Sequence, residues 1–317
     1  SHLAKMLRAF WTNQVFADGM EERDIAELPQ GIKDHFVELA NAARRNGGLH
    51  AASGTLGSGI SNNVRLALLN IIFNSVGLPE QYNQARFVLW LKRKGIFESV
   101  KQAVEAEGDS WEEELKDLYM SRNIASALME YDNTLGDSPS QVRQLLREQY
   151  PHVDDVTNQQ MVNAIYDALA TEGEFPLTLV VLDEVQQYIG DDAERAHLVQ
   201  EVIETCCKDS KFKSKLLFVA TGQSALSGMP NLQRLMGRFQ VPVQLSDTDV
   251  ESVIRKIILQ KKDSVKPQVE ALLQNNLGEI SRQLRGTQIE HNRDDEKVLV
   301  ADYPLLPVRR RFWEKIL

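Results

Sequence analysis

Leu177-Thr178-Leu179-Val180-Val181-Leu182-Asp183-Glu184 is the stretch on which the fold turns. A strand with one face in water alternates apolar and polar residues. This run is nearly continuous in its apolar character, as in a parallel strand covered on both faces. The carboxyl end of such a strand is where ligands bind in open α/β sheets. Here it delivers two adjacent carboxylates.

The flanking sequence supports this reading. Asp191 and Asp192 can cap a helix whose inner face carries Ala196, Val199, Ile203 and Cys206. The run 215–220 is a second buried strand, ending at Thr221-Gly222, which completes a strand–helix–strand unit. A further short strand is expected at Val241-Pro242-Val243-Gln244-Leu245. Ser246-Asp247-Thr248-Asp249 then reads as a helix start, with Val250, Val253, Ile254 and Ile257 continuing an apolar face toward Arg285. Asp302-Tyr303-Pro304-Leu305-Leu306-Pro307 reads as an extended connector into a final helix.

Upstream, helices are expected over 3–16, 31–45 and 64–76, with a short strand at 49–53 inside the glycine-rich stretch 47–61. Residues 84–131 alternate charge with hydrophobe and read as helices over 85–94, 97–107 and 111–131. Gly95 and Gly108 punctuate them. Two more helices are expected, one opened by Ser138-Pro139 and running to Tyr150, the other over 157–171.

The 317 residues carry 43% hydrophobic and 26% charged side chains, enough for a substantial core. The net charge of −9 argues against a protein that coats DNA, so any nucleic-acid contact must be a local patch. No apolar stretch approaches the ~20 residues that span a bilayer, and no signal peptide is evident. The two cysteines, Cys206 and Cys207, are adjacent and read as helix-packing residues of a reducing, cytoplasmic protein. The six histidines show no metal-ligand spacing.

The chemistry follows from the acidic strand end. A nucleotide-hydrolysing P-loop protein needs an aspartate there to hold Mg²⁺, usually through water, and a glutamate beside it to orient the attacking water. Asp183 and Glu184 fit these roles; the plain alternative is a buried strand that exits into acidic residues. The second strand ends near Thr221 and Gln223, which could contact the γ-phosphate or the water; the plain alternative is a polar turn with Gly222. Arg238, before Phe239, is the first candidate for an arginine finger reaching across a subunit boundary, and Arg234 the second. A surface ion pair is the ordinary alternative for Arg238. The phosphate loop G-x-x-x-x-G-K-[ST] is absent. The opening Ser1-His2-Leu3 reads as the helix that follows such a loop, with the Ser1 hydroxyl meeting Mg²⁺; the rival reading of Ser1-His2 is the remnant of an expression tag. Gly54-Thr55-Leu56-Gly57-Ser58-Gly59 lacks the Lys-Ser/Thr ending and a strong preceding strand, so it reads as a glycine turn. Arg309-Arg310-Arg311 with Phe312 and Trp313 could meet nucleic acid, or form one face of an amphipathic helix.

Taken together, Val181-Leu182-Asp183-Glu184-Val185-Gln186-Gln187-Tyr188-Ile189-Gly190, Arg234-Leu235-Met236-Gly237-Arg238-Phe239, Gly278-Glu279-Ile280-Ser281-Arg282 with Gly286-Thr287, and the segment Asp302 to Trp313 resemble the BrxC/PglY P-loop ATPases of the BREX bacteriophage-exclusion systems. The resemblance is densest from Leu177 onward. It implies an α/β AAA+ core with a parallel sheet flanked by helices, a large α-helical insertion and a C-terminal helical lid. The expected organisation is a core part over 1–78, the insertion over 79–175, the acidic-strand and sensor part over 176–245, and the lid segment over 246–317. It implies ATP and Mg²⁺ as cofactors and a homo-oligomer. Expected partners are a DNA methyltransferase and an alkaline-phosphatase-like protein, with DNA met directly or through partners. The expected function is ATP hydrolysis that remodels or licenses a protein–DNA assembly in antiphage defence. The alternatives are a nucleotide-gated scaffold with little turnover and an interaction module built on the helical region.

Overall fold

The computed structural model describes residues 2–26, 28–57, 63–222, 235–243, 253–287, 290–307 and 309. The chain divides into two units, Ser1–Gln240 and Val241–Leu317.

The first unit is built on a parallel sheet. Among the described residues it holds β1 (Leu49–Thr55), β2 (Leu177–Asp183) and β3 (Leu216–Ala220), in that order. Leu49 pairs with Leu177 and Thr55 with Asp183, while Leu182 pairs with Ala220. The expected strand at 177–182 is thus the central one. As its composition requires, it is buried on both faces.

Strand alternation sorts the side chains into two clusters. Ala52, Val180, Leu182, Leu216 and Phe218 join the main core. That core also takes in α4 (Val64–Ser75), α5 (Tyr82–Lys94), α6 (Phe97–Ala106), α7 (Trp111–Lys116), α8 (Arg122–Tyr131), α9 (Pro139–Gln149), α10 (Asn158–Leu169), α11 (Val185–Ile189) and α12 (Ala193–Lys208). The helices over 79–175 therefore share one hydrophobic cluster with the sheet. On the other face Ala51, Leu179 and Val181 pack with Trp11 of α1 (His2–Thr12), together with Phe36 and Leu39 of α3 (Gln30–Arg44). A short α2 (Glu22–Ile25) lies between α1 and α3, and its Arg23 donates to the Phe10 and Trp11 carbonyls at the end of α1.

Local sequence accounts for the helix starts. Asn63, Ser121, Ser138 and Asp192 accept from backbone amides of the first turn of α4, α8, α9 and α12. Thr157 and Gln160 form a full capping box at α10. The expected helix over 111–131 is instead two helices, α7 and α8. Ser121 has a side chain that caps Ile124, so a new helix begins there.

Arg65 ties three helices together. Its guanidinium donates to Asn158 at 2.6 Å, Asp155 at 3.1 Å and Glu201 at 3.2 Å. Asn158 also donates to Glu201 at 2.7 Å. This amide, followed by Arg65, holds the Glu201 carboxyl below the usual carboxylate range.

Two expectations for the stretch after Arg238 change. Val241–Val243 forms no strand, and both valines are more than three-quarters exposed. Pro242 has no N–H to give a ladder. The helix start expected at 246–249 lies outside the described residues. In the second unit a single π-helical turn, Ile254–Ile258, precedes α13 (Lys266–Leu284) and α14 (Arg293–Asp302). The helix expected to run unbroken toward Arg285 is therefore interrupted, and Val253 and Ile257 are exposed. Among the described residues the buried core of this unit is Val269, Leu273 and Leu299. Arg255 grips buried Asp302 with a two-pronged contact, at 2.5 and 3.1 Å.

No helix among the described residues is long and apolar enough to cross a membrane.

Candidate functional site

The carboxyl ends of the three strands bring together a row of polar side chains. Thr55 pairs with Asp183 in register, and Thr221 follows directly on Ala220, the partner of Leu182. Strand alternation puts all three on the Ala51–Leu179–Val181 face. Thr221 and Asp183 are in direct contact, the hydroxyl donating to the carboxylate.

The backbone then turns sharply. Thr221 N–H donates to the Leu182 carbonyl at 2.9 Å, and Val185 N–H donates to the Thr221 carbonyl at 3.1 Å. Between these ladder bonds Glu184 is forced into the left-handed region, with φ 52° and ψ 42°. A non-glycine residue held there is strained, and such residues cluster at functional sites. Its amide donates to the Thr221 hydroxyl oxygen at 3.2 Å. One hydroxyl thus joins the side chain of Asp183 to the backbone of Glu184. The Glu184 carboxylate accepts from Gln187 Nε2 at 2.8 Å, one turn into α11.

α1 contributes an electrostatic element. Arg8 reaches Ser53 near the carboxyl end of β1, at 3.2 Å. Trp11, later in α1, clusters with Ala51 and Leu179, further back along the strands. The helix therefore runs against the strand direction, with its N-terminal end toward the Asp183 edge. Helix N-termini carry partial positive charge and favour anions.

The proposed site residues thus fall into three groups. Asp183, Glu184 and Thr221 come together. Arg238 lies apart from them, its guanidinium 3.5 Å from Glu204 of α12 and more than half exposed. Ser1, Gln223 and Arg234 lie outside the described residues, as do Arg310, Arg311, Phe312 and Trp313 of the basic segment; Arg309 is exposed.

Two residues at this edge escaped the sequence reading. Thr55 was hidden because Gly54-Thr55 looks like a glycine turn, yet β1 runs through it. Gly54 sits inside the strand because a Cβ there would come within 2.7 Å of Ile71. Gln187 carried no signal beyond its spacing from Glu184.

Only one of the two cysteines behaves as the packing residue expected of both. Cys206 is buried, and burial pushes its thiol far above the usual range; Cys207 is exposed. Among the described residues no group of three or more His, Cys, Asp or Glu side chains could hold a metal ion. One carboxylate at a strand end suits Mg²⁺, which keeps several waters and takes further ligands from phosphates. No protein-family model matches the chain, and no solved structure matches it.

Proposed function

We propose that this chain is the ATP-hydrolysing core of an AAA+ module. The observation that carries the reading is the Thr221 hydroxyl, which links Asp183 to Glu184 at the carboxyl edge of a buried parallel sheet. Bound Mg²⁺–ATP would supply the phosphoryl group and the counter-charge to it. Asp183 would hold the metal. Glu184 orients the attacking water, and Thr221 keeps both acidic residues in register. Gln223 would be a second sensor, and the Ser1 hydroxyl would meet Mg²⁺. The N-terminal end of α1 would favour the phosphates, and Arg238 acts in trans within a homo-oligomer. The reading requires a Gly-Lys phosphate loop ahead of Ser1.

Following the resemblance, the module works in a BREX antiphage complex in the cytoplasm. It remodels or licenses a protein–DNA assembly alongside a methyltransferase and an alkaline-phosphatase-like protein. Residues 246–317 serve as the lid, and 79–175 as a helical insertion.

The test uses a chain that carries the phosphate loop. Glu184→Gln should keep nucleotide affinity in a fluorescent-ATP titration and cut turnover by about 10²- to 10⁴-fold. Undiminished turnover would remove the role given to Glu184. A parent chain that binds no nucleotide would sink the proposal.

A further inference from the structure

We propose that Gln187 is a positioning residue for Glu184, holding its carboxylate ready for the attacking water; the inference rests on the role given to Glu184 above. The argument comes from a comparison within the chain. At the start of α10, Thr157 and Gln160 stand three apart, and the Gln160 side chain accepts from the Thr157 amide. At the start of α14, Asn292 and Asp295 do the same. This is the usual job of the third helical residue.

Glu184 and Gln187 have the same spacing at the start of α11, but the bonds are exchanged. The Glu184 amide is taken by the Thr221 hydroxyl at 3.2 Å, so Gln187 has no amide to reach back for. Its side chain instead turns its donor, Nε2, onto the Glu184 carboxylate at 2.8 Å. The Gln187 backbone N–H also donates to the Glu184 carbonyl at 2.9 Å, which fixes the base of the side chain. Glu184 is therefore held at its amide by one strand and at its carboxylate by the following helix. A carboxylate on a left-handed residue at a strand end would otherwise choose among several rotamers. Gln187 selects one while staying exposed, and so leaves the second carboxylate oxygen for the water.

The experiment measures steady-state ATP hydrolysis in a chain carrying the phosphate loop. The variants are Gln187→Met, Gln187→Glu, Glu184→Gln and the Glu184→Gln/Gln187→Met pair. Methionine keeps the length and helix propensity of glutamine but offers no donor. Glutamate keeps the shape and repels. Gln187→Met should lower kcat about tenfold and Gln187→Glu more, with KM within about twofold. The methionine should add no further loss to the residual turnover of Glu184→Gln. Melting temperatures should not change. An unchanged kcat for Gln187→Met beside an inactive Glu184→Gln overturns the inference and leaves the role of Glu184 standing. Equal losses in both backgrounds also overturn it, since they mark a structural effect. Turnover that survives Glu184→Gln removes the reading beneath it.

Discussion

The two ends of the sheet use their polar groups in opposite ways. At the amino end, Lys215 Nζ donates to the Asn46 carbonyl at 2.9 Å and the Phe175 carbonyl at 2.8 Å, and lies 3.3 Å from the Glu174 carboxylate. Beneath it, the Phe175 ring packs against Tyr166 and Phe212. Gly47, at φ 92°, passes so close that a Cβ would meet the Phe175 carbonyl carbon at 3.0 Å. The Lys215 ammonium thus ties together the chain entries to all three strands. At the carboxyl end the same strands present Thr55, Asp183 and Thr221 on one face and strain Glu184 beside them. One end closes the fold, and the other arranges carboxylates and hydroxyls around a site.

That division predicts which substitutions cost stability and which cost chemistry. Phe175→Ala should cost about 3–5 kcal/mol in urea denaturation, because its ring is fully buried between two others. Lys215→Met should cost about 1.5–3 kcal/mol, since charge-assisted bonds to two carbonyls are lost. Thr221→Val at the other end should cost no more than about 1 kcal/mol, because Asp183 and Glu184 are only half-buried and water can take the place of the lost hydroxyl, and yet it should lower turnover sharply. Equal stability losses for Lys215→Met and Thr221→Val would erase the contrast between the ends.

Acid sharpens it. The Lys215 hydrogen bond, with Lys213 nearby, holds the exposed Glu174 carboxyl below the usual carboxylate range. A carboxyl whose folded value is lowered contributes stability above its unfolded value, near about 4.3, and loses it as pH falls through the folded value. The gap in urea midpoint between the parent and Lys215→Met should therefore narrow from pH 7 to about pH 3. It should not close, because the two carbonyl bonds do not titrate in that range. A gap independent of pH would mean that Glu174 contributes nothing to the clamp.

The contrast also explains what the sequence could say. The central strand was legible because burial on both faces demands the run Leu177 to Leu182, and its shortness and the β-branched Thr178, Val180 and Val181 favour a strand over a buried helix segment. The second strand and the helix starts at Ser138 and Asp192 were legible for similar local reasons, whereas Thr157 reads as part of its helix and is in fact its cap. β1 was only half legible. His50-Ala51-Ala52-Ser53-Gly54-Thr55 has no β-branched residue before Thr55, and its Gly54 answers to Ile71 of α4, a contact that sequence spacing does not show. The bond from Thr221 to Asp183 joins residues 38 apart in sequence. Spacing brought both residues into the candidate set, while only the register shows that they touch. The split of 111–131 was missed because Ser121 looked like a helix interior residue until its cap was seen. The strand expected at 241–245 failed at Val241–Val243, where propensity found no ladder partner among the described residues.

The smallest expected effect concerns Arg238, the proposed finger, which stands apart from the Asp183 edge. Its 3.5 Å contact with Glu204 is not essential to that acid. Glu204 already accepts from Lys208 at 2.7 Å and Gln200 at 2.9 Å, and these bonds come first among the causes that hold its carboxyl below the usual range. Losing Arg238 thus strands no charge, and a pair this exposed is worth about 0–1 kcal/mol. A double-mutant cycle with Arg238→Met and Glu204→Gln should therefore give a coupling below about 1 kcal/mol in thermal or urea unfolding. The low figure is what a reach across a subunit boundary requires, because an arginine anchored in its own subunit could not leave it cheaply. A coupling above about 2 kcal/mol would make Arg238 a structural residue of the first unit and pass the finger role to Arg234.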